Sequence, residues 1–117
     1  MVSIKNLDRA TVIAERAQVA ETSSTRRRGL LGRDCLPPGE GLWIVPCESV
    51  HTIGMRFPID VLFLNRDKRV LKIRPHMRSW RMAACLRAHS VLELPAGAAA
   101  ATGTQRGDRL EVSDVSF

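Results

Sequence analysis

The segment Gly41–Val70, GLWIVPCESVHTIGMRFPIDVLFLNRDKRV, determines the fold class of this chain. Two apolar runs within it, Leu42–Val45 and Ile59–Leu64, lie on either side of a short polar centre, His51–Met55. Hydrophobic residues at consecutive positions are typical of strands that are buried on both faces of a sheet. The polar sequence Asn65–Lys68 then predicts a hairpin that joins the second run to another strand. The segment therefore predicts a sheet at the centre of the domain.

The flanking sequence adds further strands and two short helices. The patterns predict strands at Val2–Leu7, Ala10–Ala20, Arg69–Ile73, Ser90–Leu94 and Asp108–Val115, with a less regular one at Trp80–Leu86. Thr22–Thr25 supplies N-cap residues for a helix at Arg26–Leu31 that Gly32 would end, and Ala96–Thr102 predicts a helical turn. We expect one α+β domain over residues 1–117, predominantly antiparallel β, with a small barrel-like curled sheet and short helices at its rim.

Length and composition limit the class of protein. A chain of 117 residues is one domain that buries roughly two thirds of the surface of its unfolded state. Its 44% hydrophobic and 26% charged residues are ordinary for a soluble globular domain and argue against disorder. Aromatic residues make up 4% of the chain and tyrosine is absent, so we expect a mainly aliphatic core. This scarcity also argues against nucleic-acid recognition by stacking of bases on aromatic side chains.

The net charge of +6 comes almost entirely from arginine, since lysine occurs only at positions 5, 68 and 72. One interpretation is a partner rich in phosphate or carboxylate groups, which arginine binds through two hydrogen bonds at once. The other is a general preference of the genome for arginine and alanine codons. The scattered arginines favour the second interpretation, so nucleic acid is not the expected partner. Arg26, Arg27 and Arg28 form the tight run, and we assign them weak contact with nucleic acid or another anion.

The cysteines and the N-terminal sequence indicate a reducing compartment. Cys35, Cys47 and Cys85 are odd in number and form no CxxC pair, which argues against a secreted disulfide scaffold. Met1–Glu21 has no apolar signal region, and no apolar run approaches the roughly 20 residues of a membrane span. We predict a cytoplasmic protein without membrane association, although a chain from which a leader had been trimmed would show the same pattern.

Three motifs extend through most of the chain. They are Arg28–Arg33 (RGLLGR) followed by Leu36 and Gly39–Ile44 (GEGLWI), His51–Met55 (HTIGM) with Pro58–Leu64 (PIDVLFL), and Val91–Gly97 (VLELPAG) with Gly107–Asp108. Together they resemble the motifs of the domain of unknown function 192 family, from about Thr22 to Val112. The resemblance implies a compact, mainly β single domain of bacteria and archaea without an established biochemical activity.

The chain departs from that family's pattern in three respects. Many relatives carry an export signal, whereas this sequence shows none. Many also have a centre similar to Trp-Met-Lys-Asn-Thr where this chain has His51–Met55, and a later paired-cysteine motif of some relatives is absent. What holds for the centre in those relatives therefore does not transfer directly to this chain.

Asp60 is a carboxylate at the start of an apolar strand, between Ile59 and Val61. We expect it to be at least half buried, and an unpaired buried charge is strongly unfavourable. Some donor must therefore contact Asp60. It either caps a loop or pairs with an arginine such as Arg56, or it faces a bound ligand.

Glu93 and His51 are further polar residues within or beside apolar strands. Glu93 either lies on an outward face or lines a cavity. His51 could act as a general base or a ligand, because its ordinary pKa near roughly 6.5 suits proton transfer at neutral pH, or it bonds to a carboxylate for packing alone. We predict that His51, Asp60 and Glu93 lie around one pocket at one end of the barrel, with Thr52 and Met55 as further ligand-binding residues.

Neither metal nor cofactor binding is expected. Cys47 and His51 repeat the spacing of Cys85 and His89, so each pair could supply two zinc ligands from one face. Zinc fingers, however, normally use a CxxC-type knuckle, which this chain lacks. The sequence also contains no GxSxG elbow, P-loop, HExxH or GxGxxG motif.

These observations favour a binding module over an enzyme. The predicted ligand is a small polar molecule, a sugar or a peptide, held in a polar pocket at one end of the barrel. The alternative is an acid/base hydrolase that uses His51, Asp60 and Glu93, and the third is a weak nucleic-acid binder through its arginines. Because no nucleophile or metal set is recognisable, we do not expect an enzyme.

Overall fold

A computed structural model describes residues 1–115 of the chain. In this range the strands are β1 Val2–Asn6, β2 Thr11–Ala20, β3 Glu40–Ile44, β4 Ser49–His51, β5 Ile59–Leu64, β6 Val70–Met77, β7 Met82–Ala84, β8 Ser90–Pro95 and β9 Leu110–Asp114. The helices are α1 Ser23–Arg28 and α2 Ala98–Ala101. Among residues 1–115 there is no helix long and apolar enough to cross a membrane.

Seven strands form one curled sheet in the order β6-β5-β8-β3-β2-β1-β9, and β4 pairs with β7 in a separate ribbon. The pairing of β2 with β3 is parallel, and the other strand pairs are antiparallel. An isolated bridge joins Arg69 to Arg109, next to the starts of β6 and β9, so the two edges of the sheet approach each other. The predicted α+β fold with a small barrel-like, mostly antiparallel sheet is confirmed.

Both faces of the sheet are buried, as the consecutive hydrophobic residues of β5 predict. All six residues of β5 are buried. Ile59, Val61 and Phe63 belong to one hydrophobic cluster, whereas Leu62 and Leu64 belong to a second cluster. The two sets alternate because successive side chains of a strand point to opposite faces.

The two clusters cover opposite sides of the curl. The second contains Val70 of β6 and Leu110 of β9 from the two ends of the sheet, and therefore fills the concave side; we call it the inner core. The first, which we call the outer core, contains Val50 and Ala83 of the β4-β7 ribbon and Leu30 from the segment after α1. The ribbon and this segment thus cover the convex side of the sheet.

Helix α1 begins three residues before the predicted start and ends before the predicted end. The hydroxyl of Thr22 accepts a hydrogen bond from the amide of Thr25 at 3.1 Å, and the hydroxyl of Thr25 accepts one from the amide of Thr22 at 3.1 Å. This capping box sets the start of the helix. Gly29, with φ of 50°, ends it, rather than Gly32. Arg26, Arg27 and Arg28 therefore form its last turn.

Other differences concern the length of elements. The hairpin at Asn65–Lys68 is confirmed, since β5 and β6 pair on either side of it, but β6 extends four residues past the predicted end, to Met77. His51, the first residue of the polar centre, ends β4 and pairs with Met82 of β7. The irregular strand predicted at Trp80–Leu86 contains β7, whereas the sequence does not predict β4 or its pairing with β7, because a strand of three residues leaves little pattern.

Candidate binding cleft

A cleft of about 500 Å³ opens on the convex side of the sheet, between α1 and β4. The guanidinium-bearing residues Arg26, Arg27 and Arg28 line it from α1, and Cys47 and His51 line it from the chain around β4. Apolar side chains complete the walls, among them Leu30, Ile44, Pro46, Val50 and Met55, and Glu93 contributes a carboxyl group from the sheet below.

The connection between β2 and β3 explains why α1 lies here. A parallel pair of neighbouring strands requires a crossover that passes over one face of the sheet. The chain leaves β2 at Ala20, forms α1, and returns as β3 beside β8, the strand that carries Glu93. The crossover therefore carries the arginine run over the part of the sheet that holds Glu93.

Glu93 forms the floor of the cleft. It is paired in register with Leu42 of β3 and with Val61 of β5, and both of these belong to the outer core. Directly paired residues share a face of the sheet, so the side chain of Glu93 points to the convex side among apolar neighbours. Glu93 is 4% exposed, and no residue in the range 1–115 forms a hydrogen bond with its carboxyl group. Burial raises the pKa of Glu93 from an ordinary 4.5 to about 7.

The arginines at the rim have no acidic partner among the described residues. The ion pairs within residues 1–115 are Arg9–Asp108, Arg33–Glu40 and Arg56–Asp34. Basic residues in the last turn of a helix are favourable because they interact with its partial negative charge. The three guanidinium groups of α1 thus remain available to an anion that enters the cleft.

Cys47 is a thiol on the cleft wall, not an activated nucleophile. It is half buried, and its Sγ donates a hydrogen bond to the carbonyl of Ser49 at 3.1 Å. Burial raises the pKa of Cys47 above its ordinary value, and the nearby Glu93 carboxylate raises it further. A raised thiol pKa disfavours the thiolate, which is the nucleophilic form. The described residues contain no group of three His, Cys, Asp or Glu side chains that could hold a metal ion.

His51 and Met55 both line the cleft. His51 is exposed, and its Nδ1 accepts a hydrogen bond from the amide of Ile53 at 3.3 Å. An accepting Nδ1 leaves the proton of the neutral ring on Nε2. In the described part of the chain, His51 forms no hydrogen bond with Asp60 or Glu93.

Thr52 lies outside the cleft and supports the fold. It is fully buried, and its hydroxyl donates to the carbonyl of Arg78 at 2.5 Å while accepting from the amide of Arg81 at 2.9 Å. Both functions of the hydroxyl are therefore used within the protein. Thr52 joins the polar centre to the chain that leads into β7.

Asp60 is on the other face of the sheet, so the predicted pocket shared by Asp60 and Glu93 is wrong. Asp60 pairs in register with Leu94, the neighbour of Glu93, and Leu94 belongs to the inner core. Because side chains alternate along a strand, one residue of offset places the two carboxyl groups on opposite sides.

The donors to Asp60 are backbone amides. Its two carboxylate oxygens accept hydrogen bonds from the amide of His76 at 2.8 Å and from the amide of Ala99 in α2 at 2.9 Å. The suggested partner Arg56 instead pairs with Asp34. Asp60 therefore joins β6 and α2 through their backbone amides and does not pair with Arg56.

The sequence pattern did not place Arg26–Arg28 near Glu93, and it did not indicate that Cys47 lies in the pocket. The crossover brings all of them to one cleft. The signal for this arrangement is the parallel pairing of β2 with β3, which a sequence does not display.

Comparison with known proteins gives a family and a fold. Residues 4–112 match the family model of the domain of unknown function 192, described as an uncharacterized ACR. A UPF0127 protein of Pyrococcus furiosus is 37% identical over 76 residues, which cover 60% of this chain and 65% of that protein. The chain thus matches slightly less than two thirds of this relative's length.

Two crystal structures are similar. A protein of unknown function from Novosphingobium aromaticivorans has a TM-score of 0.79 and 26% identity, over 94% of this chain and 82% of that one. A putative transcription regulator from Sinorhizobium meliloti has a TM-score of 0.82 and 24% identity, over 95% of this chain and 91% of that one. At such identity the second likeness shows the fold alone.

Proposed function

We propose that this chain, which belongs to the domain of unknown function 192 family, is a binding module for a small polar ligand. The ligand occupies the cleft between α1 and β4. The observation that carries the proposal is the carboxyl group of Glu93, which is buried beneath the cleft and has no hydrogen-bond partner among residues 1–115.

An unpartnered carboxyl group destabilises the free protein. Transfer of an ionised carboxylate to apolar surroundings is strongly unfavourable unless a donor compensates for the lost water. Asp60, which is equally buried, receives two backbone amides, whereas Glu93 receives none from the described residues. A donor group on a ligand would supply the missing hydrogen bond. The destabilisation of the free protein would then be relieved on binding.

The dimensions and the lining of the cleft also suit a ligand. Small-molecule sites typically measure about 300 to 1,000 Å³ and combine apolar walls with a few convergent polar groups. The cleft has about 500 Å³, apolar walls that include Ile44 and Val50, and polar groups from Glu93, His51 and the arginines of α1.

The hydrolase alternative is less well supported. It required Asp60 beside His51 and Glu93, but Asp60 faces the inner core with its oxygens bonded to amides. The thiol of Cys47, with its raised pKa, does not replace it as a reactive group. The description of the Sinorhizobium meliloti protein as a regulator carries no weight at 24% identity. A small polar ligand remains the best-supported partner.

Two substitutions of Glu93 test the proposal. Glu93→Leu removes the unpartnered carboxyl, so we expect a more stable protein that loses affinity for ligands that donate to this carboxyl group. Glu111, an exposed residue of β9 at the edge of the sheet, provides the matched control through Glu111→Leu. A fragment library screened by two-dimensional NMR should shift the amide signals of cleft residues in the wild type and in Glu111→Leu. If no fragment shifts these signals in the wild type, the cleft is not a binding site.

A further inference from the structure

We infer that the ligand of this cleft carries both charges: an ammonium group that contacts Glu93 and an anionic oxygen group that contacts the arginines of α1. The inference rests on the proposed binding function and names the chemical class of its ligand. Phosphate and carboxylate are the two anionic groups that arginine binds best.

The floor of the cleft favours a positively charged group on the ligand. Glu93 is 4% exposed and lines the cleft, and its carboxyl group has no partner in the described chain. An ionised carboxylate in apolar surroundings is compensated more strongly by a charged donor than by a neutral one. A ligand ammonium group provides this donor.

The rim of the cleft favours a negatively charged group on the ligand. Arg26, Arg27 and Arg28 line the same cleft and take part in no ion pair within residues 1–115. The protein as a whole has a net charge of +6, which disfavours the approach of a purely cationic ligand. A purely anionic ligand would leave Glu93 without a partner. A ligand with one group of each sign satisfies both ends.

The walls of the cleft between Glu93 and the arginines favour an apolar segment between the two charged groups of the ligand. Ile44, Val50 and Met55 are apolar and line the cleft together with Glu93. A methylene chain between the charged groups would bury apolar surface against them, which is favourable by the hydrophobic effect. The class is therefore that of ω-amino alkyl phosphates and ω-amino carboxylates.

Protonation of Glu93 adds a second expectation. With a pKa of about 7, the free protein holds a proton on Glu93 in part of its molecules at neutral pH. An ammonium group favours the ionised form, so binding releases this proton. Affinity for an ω-amino carboxylate, whose own two groups do not titrate in this range, should therefore rise between about pH 6 and pH 8.

Calorimetric titration of the full chain tests the inference with defined probes. Aminohexyl phosphate and aminohexanoate carry both charges, hexylamine and hexyl phosphate carry one each, and hexanol carries none. We expect at least one two-charge probe to bind about tenfold or more tightly than each single-charge probe, since each charge-assisted contact contributes on that order. The better of the two identifies phosphate or carboxylate as the anionic group.

Substitutions of Glu93 and of the α1 arginines test which residue contacts each charged group of the ligand. Glu93→Gln should weaken the two-charge probe and hexylamine about tenfold but leave hexyl phosphate unchanged. Replacement of Arg26, Arg27 and Arg28 by serine should weaken the two-charge probe and hexyl phosphate alone. Serine at Arg66, Arg87 and Arg106, which are exposed and do not line the cleft, is the matched control and should change nothing.

The outcomes separate this inference from the binding function itself. If neutral fragments bind the cleft while the two-charge probes bind no better than hexanol, the ligand class is wrong and the binding function stands. Equal binding of the two-charge probe to the wild type and to the serine triple variant likewise overturns the class. If neither the probes nor any library fragment perturbs the cleft signals, both proposals fall.

Discussion

Replacement of Glu93 by glutamine should change how the stability of the protein depends on pH. Glutamine keeps the shape of the side chain but does not ionise. In the folded protein the pKa of Glu93 is raised from 4.5 to about 7, because the carboxyl group is buried among apolar residues. In the unfolded chain the group returns to its ordinary pKa. Between these two values the folded state binds more protons than the unfolded state.

The sign and the size of the effect follow from this difference. When the pKa of a group is higher in the folded than in the unfolded protein, its contribution to stability is fully present below the pKa of the unfolded state. This contribution is lost as the pH rises through the pKa of the folded state. One pKa unit corresponds to about 1.4 kcal/mol, so the rise to about 7 corresponds to about 3 kcal/mol. The wild type should thus lose about 3 kcal/mol relative to Glu93→Gln between about pH 4 and pH 8.

Urea unfolding at a series of pH values measures this difference. Subtraction of the free energy of unfolding of the wild type from that of Glu93→Gln removes the contribution of groups common to both proteins. Glu111→Gln is the control, and because Glu111 is exposed its difference from the wild type should stay flat. A flat difference for Glu93→Gln would refute the reasoning, because it would mean that the carboxyl group is solvated or partnered in the folded protein.

Three further predictions concern Asp60, metal ions and nucleic acid. Asp60→Ala leaves the amides of His76 and Ala99 without their acceptor, and the second of these hydrogen bonds is buried. The substitution should lower the free energy of unfolding by about 2 to 4 kcal/mol in urea titrations, with ligand affinity at the cleft unchanged. Altered affinity without lost stability would contradict this structural role of Asp60. We expect the protein to fold without metal, so elemental analysis should find no stoichiometric zinc and a chelator should leave the melting temperature unchanged. Unfolding by a chelator would show that a bound metal ion stabilises the fold. Binding to oligonucleotides should be weak and without sequence preference, and it should fade between about 50 and 200 mM salt. Replacement of Arg26–Arg28 by serine should make this salt dependence shallower. Tight, sequence-selective binding at the higher salt would contradict the expectation of weak binding.

The sequence predicts the fold of this domain better than its site, for a physical reason. Ile59–Leu64 is predicted with its correct ends because an almost wholly apolar run, with Asp60 as its single polar residue, lies between Pro58 and Asn65 and is typical of a strand buried on both faces. The ends of α1 depend on a capping box and on which of two glycines, Gly29 or Gly32, ends the helix, since both adopt a positive φ. Several residues in that segment satisfy the same local preferences, so the sequence alone does not decide between them.

The site depends on strand register and on the crossover, neither of which is local. Asp60 and Glu93 have similar settings in the sequence, each an acid beside branched apolar residues. Their faces are decided by the alignment of β5 with β8, in which Asp60 lies opposite Leu94 and Glu93 lies opposite Val61. A slip of one residue would reverse the face of each acid. No pattern within either strand contains this information.

The contrast between the two acids is the strongest argument for where this protein binds. Both are almost fully buried, so both must be compensated or must weaken the fold. For Asp60 the compensation comes from the protein, since the amides of His76 and Ala99 reach its two oxygens. For Glu93 the described chain offers no donor, although the three arginines of α1 line the same cleft. A buried acid that already has its donors has little to gain from a ligand, whereas one that opens onto a cleft without a donor gains a hydrogen bond when a ligand supplies it. The same comparison explains why the two substitutions should act oppositely: loss of Asp60 weakens the fold and spares binding, and loss of Glu93 strengthens the fold and weakens the binding of a ligand that donates to its carboxyl group.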